Sequence, residues 1–209
     1  ELKSDPAMKQ VTLLEGRAVS MGRTLSFHPI IGLMKNWAGI TEDDGEAAQF
    51  TKLEKAIRAV HPDEADEIVP FAATLMGMKL SGKYAERVKG IEGEALEKLI
   101  FKNIRELLIK GSERRPMVIY IEDLHWADTS SIDLLSALFK LTDNYRILYI
   151  LVFRPNYEET GDRILETLAD DFSDRHESIT IEPLTEDETS ILIGNLLNIK
   201  GLPHDLETQ

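Results

Sequence analysis

The chain has 209 residues, 43% of them hydrophobic, and a formal net charge of −13 at pH 7. That apolar content supports a packed core rather than disorder, and the acidic balance disfavours non-specific attraction to nucleic acid or anionic membrane. Cysteine is absent, which removes disulfides, thiolate metal sites and cysteine nucleophiles; with no apolar run of membrane-spanning length and no signal-peptide layout, a cytoplasmic location is expected.

Glu1-Leu2-Lys3 has the character of a last helical turn, stopped ahead of Pro6 because proline disfavours helix in the residue before it. Residues 11–18 are expected as a strand. Ile30, Ile31, Leu33, Met34 and Trp37 follow Pro29 at helical spacing and predict a short amphipathic helix to about Ala38. An acidic loop at 41–45 separates it from a helix over 46–60, striped by Phe50, Leu53, Ile57 and Val60. A third helix over about 63–75 contains Pro70, which lacks the helical N–H and is expected to kink or divide it. Residues 76–90 read as an exposed connection whose methionines are core filler. The clearest periodicity runs over 93–110 through Leu96, Leu99, Ile100, Ile104, Leu107 and Leu108, with Glu94 and Lys98 paired at i,i+4 and Gly111 placed as the cap.

Met117 to Ile121 is an uninterrupted apolar and aromatic run, followed by Glu122 and Asp123 side by side. Such a run suits a strand buried on both faces of a parallel sheet. Acids at its carboxyl end lie where open α/β sheets bind ligands; carboxylates there can hold Mg2+ through water and orient an attacking water. The alternative is that they solvate the strand end and cap the next helix. Arg114 and Arg115 stand at the other end of this strand and read as solvating its start rather than as a catalytic arginine. Asp128 or Thr129 can cap the following helix, with Ser130 and Asp133 as a capping-box alternative; Leu134, Leu135, Leu138 and Leu141 face the core. A second doubly buried strand is expected over 146–153, with Arg154-Pro155 immediately after it. A helix over about 162–169, a short alternating strand at 178–182 and a helix opened by a Thr185/Glu188 capping box follow. Ile191, Leu192, Leu196 and Leu197 give that helix its apolar side, and Gly201-Leu202-Pro203 reads as a cap followed by a breaker.

Residues 121–128, Ile-Glu-Asp-Leu-His-Trp-Ala-Asp, closely resemble the Walker B segment of AAA-like, STAND-type P-loop signalling ATPases. Those modules are fused to class III adenylate cyclases, helix-turn-helix transcription activators and some protein kinases. Gly16-Arg17, Phe27-His28-Pro29, Arg154-Pro155 and Pro183-Leu184-Thr185 stand where that group has similar residues. The resemblance implies that Glu122 and Asp123 share Mg2+ and water, with Glu122 in a place more often held by Asp. It implies that Arg154 is the sensor arginine, contacting a γ-phosphate through charge-assisted hydrogen bonds; the alternative is a strand-end arginine paired with Glu122 or Asp123, and without nucleotide both can hold at once. No Gly-x-x-x-x-Gly-Lys-Ser/Thr phosphate loop occurs in the 209 residues, and Gly82-Lys83 is followed by Tyr84. The expectation is a domain truncated before position 1, so that the Walker A motif is absent. Neither Gly-x-Ser-x-Gly nor His-Glu-x-x-His is present, and His125 reads as a turn residue rather than a base.

The fold expected is α/β: a parallel sheet sandwiched by helices, a P-loop NTPase-like core lacking its first strand. The core would span 1–184 with a helical insertion at about 29–90, and 185–209 would begin a helical lid. Strands near 11–18, 117–122 and 147–153 can pair. The 178–182 strand, without its usual neighbour, would move against the 147–153 strand or leave an exposed edge inviting self-association. The function expected is an ATP-binding and hydrolysing regulatory switch whose parent protein uses Mg2+ and ATP and whose partners are other domains of the same polypeptide. The isolated segment would bind neither cofactor tightly and would be inactive. The alternative is a non-catalytic α/β interaction module; direct nucleic-acid binding and membrane association are not expected.

Overall fold

Three short segments pair into a parallel sheet. The structure, a computed structural model, describes residues 6–20 and 26–197. After a 3-10 turn at Pro6–Gln10 come β1 (Thr12–Arg17), β2 (Met117–Glu122) and β3 (Ile147–Leu151), with β2 in the centre. The register aligns Thr12 with Met117 and Ile147, Leu14 with Ile119 and Tyr149, and Gly16 with Ile121 and Leu151. Because side chains alternate along a strand, these rows share one face. Leu13, Val118 and Leu148, with Glu15, Tyr120 and Ile150, share the other.

The first face is the core. Helices α1 (His28–Ala38), α5 (Gly93–Arg114) and α6 (Thr129–Phe139) flank it, burying Leu33, Leu107, Leu135, Ile119 and Ile121. Gly16 permits the closest approach: a Cβ there would lie 2.8 Å from Leu33 Cγ and 3.1 Å from the Pro29 carbonyl oxygen. Gly111, expected as the cap of α5, instead lies inside that helix, which continues to Arg114. A Cβ on Gly111 would come within 3.0 Å of Met117 Sδ, so the residue serves helix–strand contact, and packing overrides glycine's low helix propensity. Arg114, the last residue of α5, donates to the Ala59 carbonyl.

The second face corrects the doubly buried reading of both apolar runs. Burial in β2 alternates, with Met117, Ile119 and Ile121 buried and Val118, Tyr120 and Glu122 half-buried; Leu148 of β3 is 56% exposed. The runs are apolar throughout because both faces are apolar, yet among the described residues only one face is fully closed over.

Between β1 and α5 lie α2 (Glu46–Val60), α3 (Ala65–Leu75) and α4 (Gly82–Val88). Pro70 does not divide α3. Its neighbours Val69, Phe71 and Ala72 are buried, and that packing outweighs the helical bond the proline forfeits. The connection over 76–90 is more structured than its sequence suggests. It contains α4, whose buried Tyr84 accepts a hydrogen bond from Arg58 Nη2 (2.9 Å) and donates to Glu54 Oε1 (2.7 Å). Burial, reinforced by Glu54 and Asp66, pushes the Tyr84 phenol up to about 12.

Beyond β3, a π-helical turn at Glu158–Asp162 leads into α7 (Arg163–Asp171). The chain divides into compact units between Asp171 and Phe172. In the second unit α8 (Glu186–Leu197) opens with the expected capping box: Thr185 N–H donates to Glu188 Oε2 (2.9 Å) and Glu188 N–H to Thr185 Oγ1 (3.3 Å). Those bonds from Thr185 hold the Glu188 carboxyl below its usual range. The expected strand at 178–182 is not formed, and Ile179 and Ile181 are 81% and 87% exposed. A five-residue segment with no ladder partner gains neither hydrogen bonds nor burial by extending. Ile191, Leu192 and Leu196 of α8 are also exposed. Glu1-Leu2-Lys3 and Gly201-Leu202-Pro203 lie outside the described residues. Among those described, no helix is long and apolar enough to cross a membrane.

Candidate functional site

β2 ends at Glu122, and the next residue reverses the chain: Asp123 has a left-handed backbone, φ 55° and ψ 32°. Aspartate adopts this region more readily than most residues. The reversal feeds a 3-10 turn at Leu124–Trp126, in which Leu124 and His125 are buried. Leu124 N–H bonds the Val152 carbonyl (3.0 Å) and Val152 N–H bonds that of Ile121 (2.9 Å), extending the β2–β3 contact past the strand ends. Of the possible caps for α6, Asp128 is the one used. Its Oδ1 accepts from Ser131 N–H (2.9 Å) and its Oδ2 from the Ser131 hydroxyl (2.6 Å).

Both candidate acids are already engaged. Glu122 Oε1 accepts the Tyr120 hydroxyl at 2.5 Å, and this bond raises the phenol's pKa by holding its proton. Asp123 Oδ2 receives Nε and Nη2 of Arg17, each at 2.8 Å. Arg17 sits beside Glu122 in the sheet register. Sequence reasoning had Arg17 only as half of a Gly-Arg match. The available signal was a basic residue ending a strand expected to neighbour the acidic one.

Arg154 follows β3. Its backbone N–H approaches His125 Nδ1 at 3.4 Å, while its side chain is exposed. Among the described residues no ion pair joins Arg154 to Glu122 or Asp123; Arg17 occupies Asp123 instead. The ring of His125 lies 4.9 Å from those of Trp126 and Tyr157, and Trp126 lies 5.6 Å from Tyr157. The Thr160 hydroxyl approaches the His125 carbonyl at 3.4 Å. His125 is thus a packing residue of the turn, as its sequence context suggests. Gly161 backs this cluster, since a Cβ there would lie 3.0 Å from the Arg154 carbonyl oxygen.

The acid pair has donor chemistry suited to Mg2+. Hard carboxylate oxygens are its preferred protein ligands, and it commonly takes only one or two of them while keeping several waters. Glu122 Oε2 and Asp123 Oδ1 stand outside the bonds to Tyr120 and Arg17. Among the described residues no group of three or more His, Cys, Asp or Glu is placed to cage a metal, so a metal here would depend on water and on ligand oxygens.

A phosphate cradle is a separate matter. Gly77 stands five residues before Gly82-Lys83, so the glycine–lysine spacing of a phosphate loop is met in part, with Tyr84 in place of Ser or Thr. The surroundings exclude that role. The segment joins α3 to the seven-residue α4 rather than a strand to a long helix, and Lys83 Nζ is held 2.5 Å from Asp66 Oδ2.

A family profile described as AAA ATPase domain matches residues 3–152, which takes in all three strands and the acid pair. The chain belongs to the AAA ATPase domain family. Membership marks it as a P-loop ATPase-type, nucleotide-binding domain; in this AAA ATPase domain protein Arg154 lies just beyond the match and α8 well beyond it. No curated protein and no solved structure matches the chain.

Proposed function

We propose that this AAA ATPase domain is part of an ATP-binding and hydrolysing switch of the STAND type, in a multidomain signalling protein such as an adenylate cyclase or a transcription regulator. The observation that carries the proposal is the adjacent pair Glu122 and Asp123 at the carboxyl end of the central strand, the second set in a left-handed turn. Both would hold Mg2+ through water and orient a water for attack. When bound, Mg·ATP supplies the phosphoryl group and the charge of the metal. Arg154, one strand over, would sense the γ-phosphate. Residues 1–184 serve as the core, with the helical insertion at 29–90, and 185–209 begin a lid whose position reports the nucleotide state.

The phosphate-binding loop is not among the 209 residues, so this segment by itself is expected to bind Mg·ATP weakly and not to turn it over. A second reading, a non-catalytic interaction module that self-associates, is favoured by the exposed Leu148 on the sheet's open face. Calorimetric titration with Mg·ATP, on this chain and on one carrying a phosphate-binding loop upstream, separates the two. Binding by the extended protein alone, with turnover altered by Asp123→Asn, supports the switch. Binding by neither supports the interaction module.

A further inference from the structure

At the amino ends of the strands, remote in the fold from the acid pair, the core face of the sheet is incompletely filled. A cavity of about 230 Å3 lies between the sheet and helices α1, α5 and α6. Its wall is apolar and includes Leu33, Trp37, Leu107, Met117, Ile119 and Leu135. An apolar cavity of about 150 Å3 already excludes water and admits benzene, so this one has room for a longer hydrocarbon. Its exposed lining residues are Arg114 and Arg115, so it meets solvent between them.

The charges at this mouth are not equivalent. The C-terminal carbonyls of α5 attract cations, and that demand is met by Arg146, whose guanidinium donates to the carbonyls of Ser112 (3.1 Å) and Glu113 (3.0 Å). Arg114 is committed to the Ala59 carbonyl. The nearby Glu113 carboxylate is paired with Lys110 at 3.0 Å. Arg115 is left with no ion pair among the described residues. In a chain with 37 acidic and 24 basic residues, an uncommitted guanidinium on the rim of an apolar cavity favours an anionic head above a hydrocarbon tail.

We propose that this cavity is a binding site for a medium-chain aliphatic carboxylate, its tail among Leu33, Leu107 and Leu135 and its carboxylate on Arg115. The site is independent of the nucleotide reading, since it shares no residue with the acid pair.

The test is titration calorimetry of the whole chain with octanoate, and with octanol as the neutral counterpart. Saturable one-to-one binding of octanoate is expected, tighter than octanol by about tenfold. Arg115→Gln should remove that difference and leave octanol binding as it was. Leu107→Phe, which fills the cavity, should weaken both ligands at least tenfold; Leu135→Phe serves if circular dichroism shows the first variant misfolded. Absence of saturable octanoate binding, or binding indifferent to the filling substitutions, overturns the site. Equal affinity for octanoate and octanol overturns the carboxylate assignment.

Discussion

The guanidinium of Arg17 and the carboxylate of Asp123 meet across the carboxyl ends of β1 and β2, with Nε and Nη2 both 2.8 Å from Oδ2. The pair joins the first strand to the turn that carries the candidate metal ligands. With Arg17 65% and Asp123 30% exposed, solvent screens the attraction, and its contribution to stability is under about 1 kcal/mol.

Its effect on a divalent cation is expected to be larger. A fixed positive charge on Asp123 competes with metal for the same carboxylate, so Arg17→Gln should raise Mg2+ affinity several-fold while leaving the midpoint of urea unfolding almost unchanged. Mg2+ titration with Mn2+ as a paramagnetic competitor reads the affinity. An unchanged value would mean that arginine and metal do not share the acid.

Asp128→Ala removes both bonds to Ser131 from a cap that is almost fully buried. A loss of about 1–2 kcal/mol is expected in urea unfolding, because the N–H at the start of α6 has no water to replace the carboxylate. Asp128→Asn, which keeps an acceptor, should recover most of it.

Gly16 and Gly32 form a paired test of packing. A methyl on Gly16 would press on Leu33 and on the Pro29 carbonyl, whereas one on Gly32 meets nothing within 4 Å. Gly16→Ala should therefore destabilise by about 1–3 kcal/mol through overpacking. Gly32→Ala, inside α1, should stabilise by about 0.5–1 kcal/mol through helix propensity. Thermal melts of the two variants should move in opposite directions.

Asp66 gives the acid limb of stability a predictable shape. Its carboxylate is held down to about 2 by Lys83 first and by Arg58 next. Because the folded pKa is depressed, its contribution is complete above the unfolded value near about 3.9 and is lost as pH falls from about 4 towards 2. The gap in melting temperature between wild type and Asp66→Asn should be constant above about pH 5 and close over that acid window. A gap that widens on acidification would contradict the assignment.

What could be read from the chain was what is local. The run ending in Glu122-Asp123, the Thr185/Glu188 box and the helix stripes each depend on residues within a few positions of one another. What could not be read depends on distant partners. Arg17 meets Asp123 across 106 positions, and Tyr84 meets Glu54 across 30. Pro70 continues its helix because of what surrounds it, and Gly111 because of Met117. The apolar character of β2 and β3 was plain, but periodicity cannot tell a face that is covered from one that is only fit to be covered. The 178–182 segment fails in the same way, since alternation supplies a strand's pattern and only a neighbour supplies its hydrogen bonds.

The packing of His125 against Trp126 and Tyr157, with the Arg154 N–H directed at the same imidazole, has a mechanical consequence. The turn after β2 and the first residues after β3 form a rigid block that cannot flex internally without unstacking three rings. Movement of the Arg154 loop must then carry Tyr157 with it, and Asn156 between them, with φ at 65° and its N–H tied to Asp162 Oδ1 at 3.1 Å, turns inside the block rather than hinging it.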